Sequence, residues 1–202
     1  MQIEPIFGPS PLKVTCTGDG ATRVTSGHAR YMDAVLRGNV YAAGQTAATT
    51  LGAGLTATPT CTSLFNPAGS QVYGVIIYAS VTSMITWGAA SQIWIAENLG
   101  GTAPTGTAGL VTNVLTGAQQ GGKIKPLTTI SAGIGIPTNM VASLGVGLTG
   151  AMTLVPQIPP LGGFFDGAIV VAPGNTLSFQ CTTASGASAF GMWIYEEVPL
   201  TM

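Results

Sequence analysis

The chain has 202 residues, of which 6 % are charged and 46 % hydrophobic, and its formal net charge is −1. Soluble domains usually carry about 25 % charged residues, and a monomer of 20.3 kDa would expose roughly 8,800 Å², about one charge per ~700 Å² here. This balance excludes intrinsic disorder, which needs low hydrophobicity and high net charge, removes any global electrostatic basis for nucleic-acid binding, and argues against a freely diffusing monomer.

Seven of the thirteen charges (Glu4, Lys13, Asp19, Arg23, Arg30, Asp33, Arg37) fall in the first 37 residues, and none occurs from Gly38 to Ala96 or from Pro126 to Phe165. The chain therefore divides into a polar arm, 1–38, and a nearly neutral body, 39–202. Pro5, Pro9 and Pro11 predict an extended start, because proline lacks an N–H and fixes φ. Ser26 to Gly38 predicts a short helix with Ser26 as its N-cap and Gly38 at a C-terminal αL position. On it, His28, Tyr31 and Val35 share a face, and Asp33 and Arg37 can pair at i, i+4.

Beyond residue 38, Val, Ile, Thr and aromatic runs separated by Gly, Pro, Asn and Ser predict strands at about 46–57, 72–82, 91–97, 108–115, 124–129, 150–155, 167–172, 176–183 and 190–198. Ala168 to Thr176, with Pro173-Gly174 at its turn, reads as a hairpin into Leu177–Cys181. In the last strand Phe190, Met192 and Ile194 face one way and Trp193 and Tyr195 the other, so both faces should be covered. Residues 100–122 and 131–150 are Gly-rich and read as long loops packing on a neighbouring chain. The expected fold is all-β, an antiparallel β-sandwich or jelly roll with an extended, partly helical N-terminal arm.

Val72 to Ala79, interrupted by Gly74, falls far short of the ~18–20 apolar residues that span a bilayer as a helix. Met1-Gln2-Ile3-Glu4-Pro5 lacks the basic-then-apolar pattern of a secretory leader, which points to cytoplasmic synthesis. Cys16, Cys61 and Cys181 are then expected as buried thiols rather than disulfides or zinc ligands.

Candidate chemistry is sparse. Gly117-Ala-Gln-Gln-Gly-Gly122-Lys123 matches the start of a phosphate loop, but Ile124 stands where Ser or Thr should hold magnesium and Pro126 blocks the following helix. Lys123 and Lys125 would share one face of a strand edge. His28, the lone histidine, lies about 140° around a helix from Asp33 and makes a poor catalytic pair. Glu196 and Glu197 should point to opposite sheet faces, and only Glu97 and Asp166 could meet through the fold. No enzyme, cofactor or metal site is expected. Arginines 23, 30 and 37 recur every seven residues and, with His28 and Tyr31, form the candidate partner interface.

Several segments resemble the small virion structural proteins of tailed bacteriophages, capsid decoration (cement) proteins most of all. They are His28-Ala-Arg-Tyr31, Arg37-Gly-Asn-Val-Tyr41, Leu64-Phe-Asn-Pro-Ala-Gly-Ser70, Ala168-Ile-Val-Val-Ala-Pro-Gly174 and Trp193-Ile-Tyr-Glu-Glu-Val-Pro-Leu200. The resemblance implies a jelly-roll-like domain, a homotrimer, and attachment to the major capsid protein on the outer surface of a phage head, with no nucleic-acid or membrane partner. Tail, fibre or spike components and glycan- or receptor-binding β-sandwiches are the alternatives.

Overall fold

A computed structural model describes residues 13–16, 22–25, 31–83, 91–100, 103–115, 121–147, 161–183 and 188–200. In the arm, β1 (Lys13–Cys16) pairs antiparallel with β2 (Thr22–Thr25), Val14 opposite Val24. The arm thus holds a paired ribbon as well as a helix. β-Branched Val14, Thr15, Thr22, Val24 and Thr25 favour the extended backbone of this ribbon. Helix α1 (Met32–Leu36) is shorter than Ser26–Gly38, and the expected Ser26 cap lies outside the described residues. Gly38 ends the helix at φ +73°, as expected, and its N–H donates to the Val35 carbonyl.

The body begins with β3 (Val40–Gly44), β4 (Thr49–Thr50), β5 (Ser63–Phe65), β6 (Val72–Ser83) and β7 (Ser91–Asn98). It continues through β8 (Thr105–Ala108), β9 (Leu110–Asn113), β10 (Lys125–Ala132) and β11 (Asn139–Gly147), and ends with β12 (Leu161–Val171), β13 (Thr176–Cys181) and β14 (Ser188–Pro199). One sheet runs β12-β6-β14-β3-β9, with β4 also on β14; the other runs β11-β7-β13-β5-β10-β8. Every strand-to-strand pairing among the described residues of these sheets is antiparallel.

Within these sheets, β3-β14-β6-β12 faces β5-β13-β7-β11, and the chain alternates between them except at β7 to β11, which are neighbours. That is the double Greek key of a jelly roll. The segment between β7 and β11 is an insertion that lengthens both sheets on one side. There β8 and β9 form one extended run that changes sheets at Gly109, whose N–H donates to the Pro126 carbonyl at 2.9 Å.

Four sequence expectations need correction. Ala168–Thr176 is not a hairpin: Val171 pairs with Gly74 in one sheet, while Leu177 pairs with Leu64 and Glu97 in the other. Pro173-Gly174, with Gly174 at φ +89°, instead carries the chain between sheets. Asn66 fixes that crossing, donating from Nδ2 to the Val72 and Val171 carbonyls and accepting the Gly174 N–H at its own carbonyl. The expected strand 46–57 shrinks to Thr49–Thr50, while β3 and β5 form in stretches read as non-strand. Third, parts of both Gly-rich stretches are paired strands, β8 on β10 and β11 on β7. Lastly, Lys123 precedes β10 and does not share a strand with Lys125. The expected strand 150–155 lies outside the described residues.

The core between the sheets is built around Trp193, Tyr195, Phe179, Ile76, Ile93, Ile95, Leu64 and Leu177, all at most 1 % exposed. Phe179 and Trp193 stack at 4.1 Å and 16°. Cys61 and Cys181 are buried thiols in this cluster, and burial pushes the Cys61 thiol up to about 12. No helix among the described residues is long and apolar enough to cross a membrane.

The two outer faces differ. On β13, Thr176, Ser178 and Gln180 point away from the core yet are buried. The segment between β4 and β5 crosses them, with Gln180 Oε1 accepting the Thr56 N–H and Gln180 Nε2 donating to the Thr56 carbonyl. On that sheet exposed Met140 and Val146 lie on the edge strand β11, while the outer face of the β12-β6-β14-β3-β9 sheet is apolar and open. Phe164 is 74 % exposed, Leu110 57 %, Val170 43 %, and Tyr73 and Met192 40 % each. Within this chain the second face of β14 is therefore only partly covered.

Candidate functional site

Two regions collect the polar chemistry, both at the end of the sandwich where β14 finishes. The first is α1 and the sheet surface beside it. Alternation along β14 sends Glu196 outward and Glu197 inward, as expected from their adjacency. Burial raises the Glu196 carboxyl above its usual range, opposed by Arg37 and reinforced by Asp33. Arg37 and Asp33 form the expected i, i+4 pair at 2.7 Å, with side chains 69 % and 77 % exposed. Such an open pair contributes little stability. The Tyr31 hydroxyl donates to Asp166 Oδ1 at 2.9 Å. Asp166 sits at φ +49°, next to Gly167 at φ +86°, where β12 shifts register against β6. This contact ties the end of the arm to the edge strand of the open sheet.

Of the candidate interface residues, Tyr31 and Arg37 therefore flank one end of that sheet. Arg23 lies on β2, opposite Thr15. His28 and Arg30 lie outside the described residues. Glu97 and Asp166 are not brought together: they lie in different sheets, and Glu97 Oε1 accepts from Asn175 Nδ2 at 3.0 Å.

The second region lies beside residues 121–124, just before β10. Glu197 is 7 % exposed, and its Oε1 accepts the Ile124 N–H at 2.8 Å. An open pocket of about 360 Å³ beside it is lined by Asn39, Tyr41, Val72, Gly121, Gly122, Lys123, Glu197 and Pro199. Tyr41 and Tyr195 stack at 5.8 Å. Burial and the Glu197 charge push both phenols upward, Tyr195 most, and the Tyr195 hydroxyl has no hydrogen-bond partner among the described residues. Asn113 Nδ2 donates to the Gly38 carbonyl at 2.6 Å, joining β9 to the helix end.

Directly after Gly121-Gly122-Lys123, the described end of the sequence that resembles a phosphate cradle, the Ile124 N–H is thus given to a carboxylate of the same chain. Oriented N–H groups suit any anion, and here Glu197 is that anion. A Cβ on Gly122 would overlap the Glu197 carboxylate. The sequence carried the signal of close approach, Gly-Gly before Lys, but not the identity of the group approached. Gly122→Ala is expected to displace the carboxylate and cost about 1–3 kcal/mol, the value of a charge-assisted hydrogen bond and its desolvated partner. Urea unfolding measures the loss, and faster hydrogen exchange at the Ile124 amide locates it.

Among the described residues, no group of three or more His, Cys, Asp or Glu converges as metal ligands would. The architecture defines the class, an eight-stranded jelly roll with a three-strand insertion and one open apolar face. No protein-family model, curated protein or solved structure matches the chain.

Proposed function

We propose that this chain is a non-enzymatic structural virion protein, a homotrimer that decorates and stabilises a phage capsid by binding between capsomers. The observation that carries the reading is the open sheet face, where Phe164, Leu110, Val170, Tyr73 and Met192 are exposed on a chain with only thirteen charges. A jelly roll is one of the folds that viral shells use, although a fold alone does not assign a function. Three of the five segments that resemble decoration proteins fall on structural parts of the fold. Leu64–Ser70 includes Asn66, Ala168–Gly174 forms the inter-sheet crossing, and Trp193–Leu200 supplies the core and Glu197. In this reading the arm, with Arg23, His28, Arg30, Tyr31 and Arg37, reaches the major capsid protein on the outer head surface.

Antibody labelling of intact virions in negative stain tests it. Label on heads at regular, symmetry-related points is expected. Label confined to tails moves the protein to a tail or fibre role, and purified virions that lack the chain overturn the reading.

A further inference from the structure

We propose that the outer face of the β12-β6-β14-β3-β9 sheet is the surface on which copies of this chain associate. The inference rests on the homo-oligomer reading above and assigns its interface. Strand register makes the face continuous. Phe164, Tyr78 and Ile194 lie side by side across β12, β6 and β14, and the Tyr78 and Phe164 rings are 5.0 Å apart. One row over, Met192 lies opposite Gly44, which lies opposite Leu110. On the other side Val75 pairs with Val170 and with Glu196. The charges at this surface, Glu196, Asp166, Asp33 and Arg37, all belong to the end beside α1 and Tyr31. The rows from Ile194 and Phe164 to Met192 and Leu110 carry none.

The contrast with the opposite sheet is what a lone molecule would avoid. In the middle of that sheet the chain's own 51–60 segment bonds Gln180 on β13, a strand whose outward Thr176, Ser178 and Gln180 water would have solvated. The exposed apolar residues Met140 and Val146 are confined to its edge strand β11, whereas the β12-β6-β14-β3-β9 face is apolar and open through its centre. Burying apolar rather than polar surface is where the free-energy gain lies. That arrangement fits a second surface of the same kind.

Size agrees. Five strands about 4.8 Å apart, with six residues of about 3.3 Å each on β12, β6 and β14 and 5 and 4 residues on β3 and β9, span at most roughly 24 by 20 Å. This is roughly 500 Å² in flat projection, and side-chain relief brings it toward the ~800 Å² per partner of a stable interface. The largest apolar patch on a typical monomer is about 300–600 Å². A homotypic contact also needs no charge complementarity, which these rows could not provide.

The test is sedimentation equilibrium of the full chain at low micromolar concentration, wild type beside Phe164→Lys and Leu110→Lys. The two variants sit on β12 and β9, at opposite edges of the face, and Ile136→Lys, at a 64 % exposed position off this sheet, is the control. The wild type and the control are expected at a multiple of 20.3 kDa, and both face variants at 20.3 kDa with unchanged far-UV circular dichroism. A multimeric wild type that both face variants leave intact, or that the control dissociates equally, overturns this inference and leaves the oligomer reading standing. A monomeric wild type overturns both, and another part of the chain or a different partner then covers the face.

Discussion

Trp193→Ala is expected to lower unfolding free energy by about 3–5 kcal/mol, much of the ~5–15 kcal/mol available to an ordinary domain. Trp193 is fully buried at the centre of the core and stacks on Phe179 at 4.1 Å. Its strand neighbours are Ala43 on β3 and Ala79 on β6, small residues that leave the inner surface low enough for the indole to lie across it. The indole Nε1 donates to the Thr62 carbonyl at 2.9 Å, linking the two sheets by a hydrogen bond as well as by packing. Truncation to alanine therefore opens a cavity against Phe179 and leaves a buried carbonyl without its donor. Trp193→Phe separates these effects: it keeps an aromatic ring but loses the donor, and should cost about 1–3 kcal/mol. Guanidinium unfolding read by far-UV circular dichroism measures both. Equal stability for wild type and Trp193→Ala would mean that this stack does not hold the sheets together.

The alternation Phe190, Met192, Ile194 against Trp193, Tyr195 was readable because a strand's side-chain period is two. It also showed that β14 has two apolar faces. What it could not show is that β6 and β3 flank β14 and make its outer face one continuous surface. Pro173-Gly174 was equally legible as a turn, since fixed φ at proline and positive φ at glycine are local properties. Its role was not legible, because sheet membership is decided by distant pairs such as Val171 with Gly74 and Leu177 with Glu97. The missed strands β8 and β11 have the opposite character. Thr-Gly-Thr-Ala and Asn-Met-Val-Ala-Ser-Leu-Gly-Val-Gly have weak intrinsic preference, and pairing with β10 and β7 supplies what propensity lacks. The carboxylate lock at Gly122 was hidden for a related reason. Seventy-three positions separate Ile124 from Glu197, and no local pattern records that contact.

Gly191→Val is expected to be at least as damaging as the loss of the indole, for the opposite reason. Gly191 lies on β14 opposite Val81, two residues before Trp193 and on the same inward side. A Cβ there would stand 2.6 Å from Cys61 Sγ and 2.7 Å from the Phe179 ring. Neither neighbour is free to retreat, since Cys61 is fully buried and Phe179 is held in the stack. Overpacking of this kind costs about 1–3 kcal/mol for small increments, so Gly191→Ala should fall in that range and the branched valine beyond it. A double-mutant cycle distinguishes the two obstacles. If the sulfur is the tighter constraint, Cys61→Ala combined with Gly191→Ala should be more stable than the sum of the single changes predicts, by about 0.5–3 kcal/mol for contacting residues. If the Phe179 ring dominates, the two losses should simply add. Gly191→Ala at wild-type stability would contradict the close approach of the sheets at this point, and with it the placement of Phe179 over the β14 backbone.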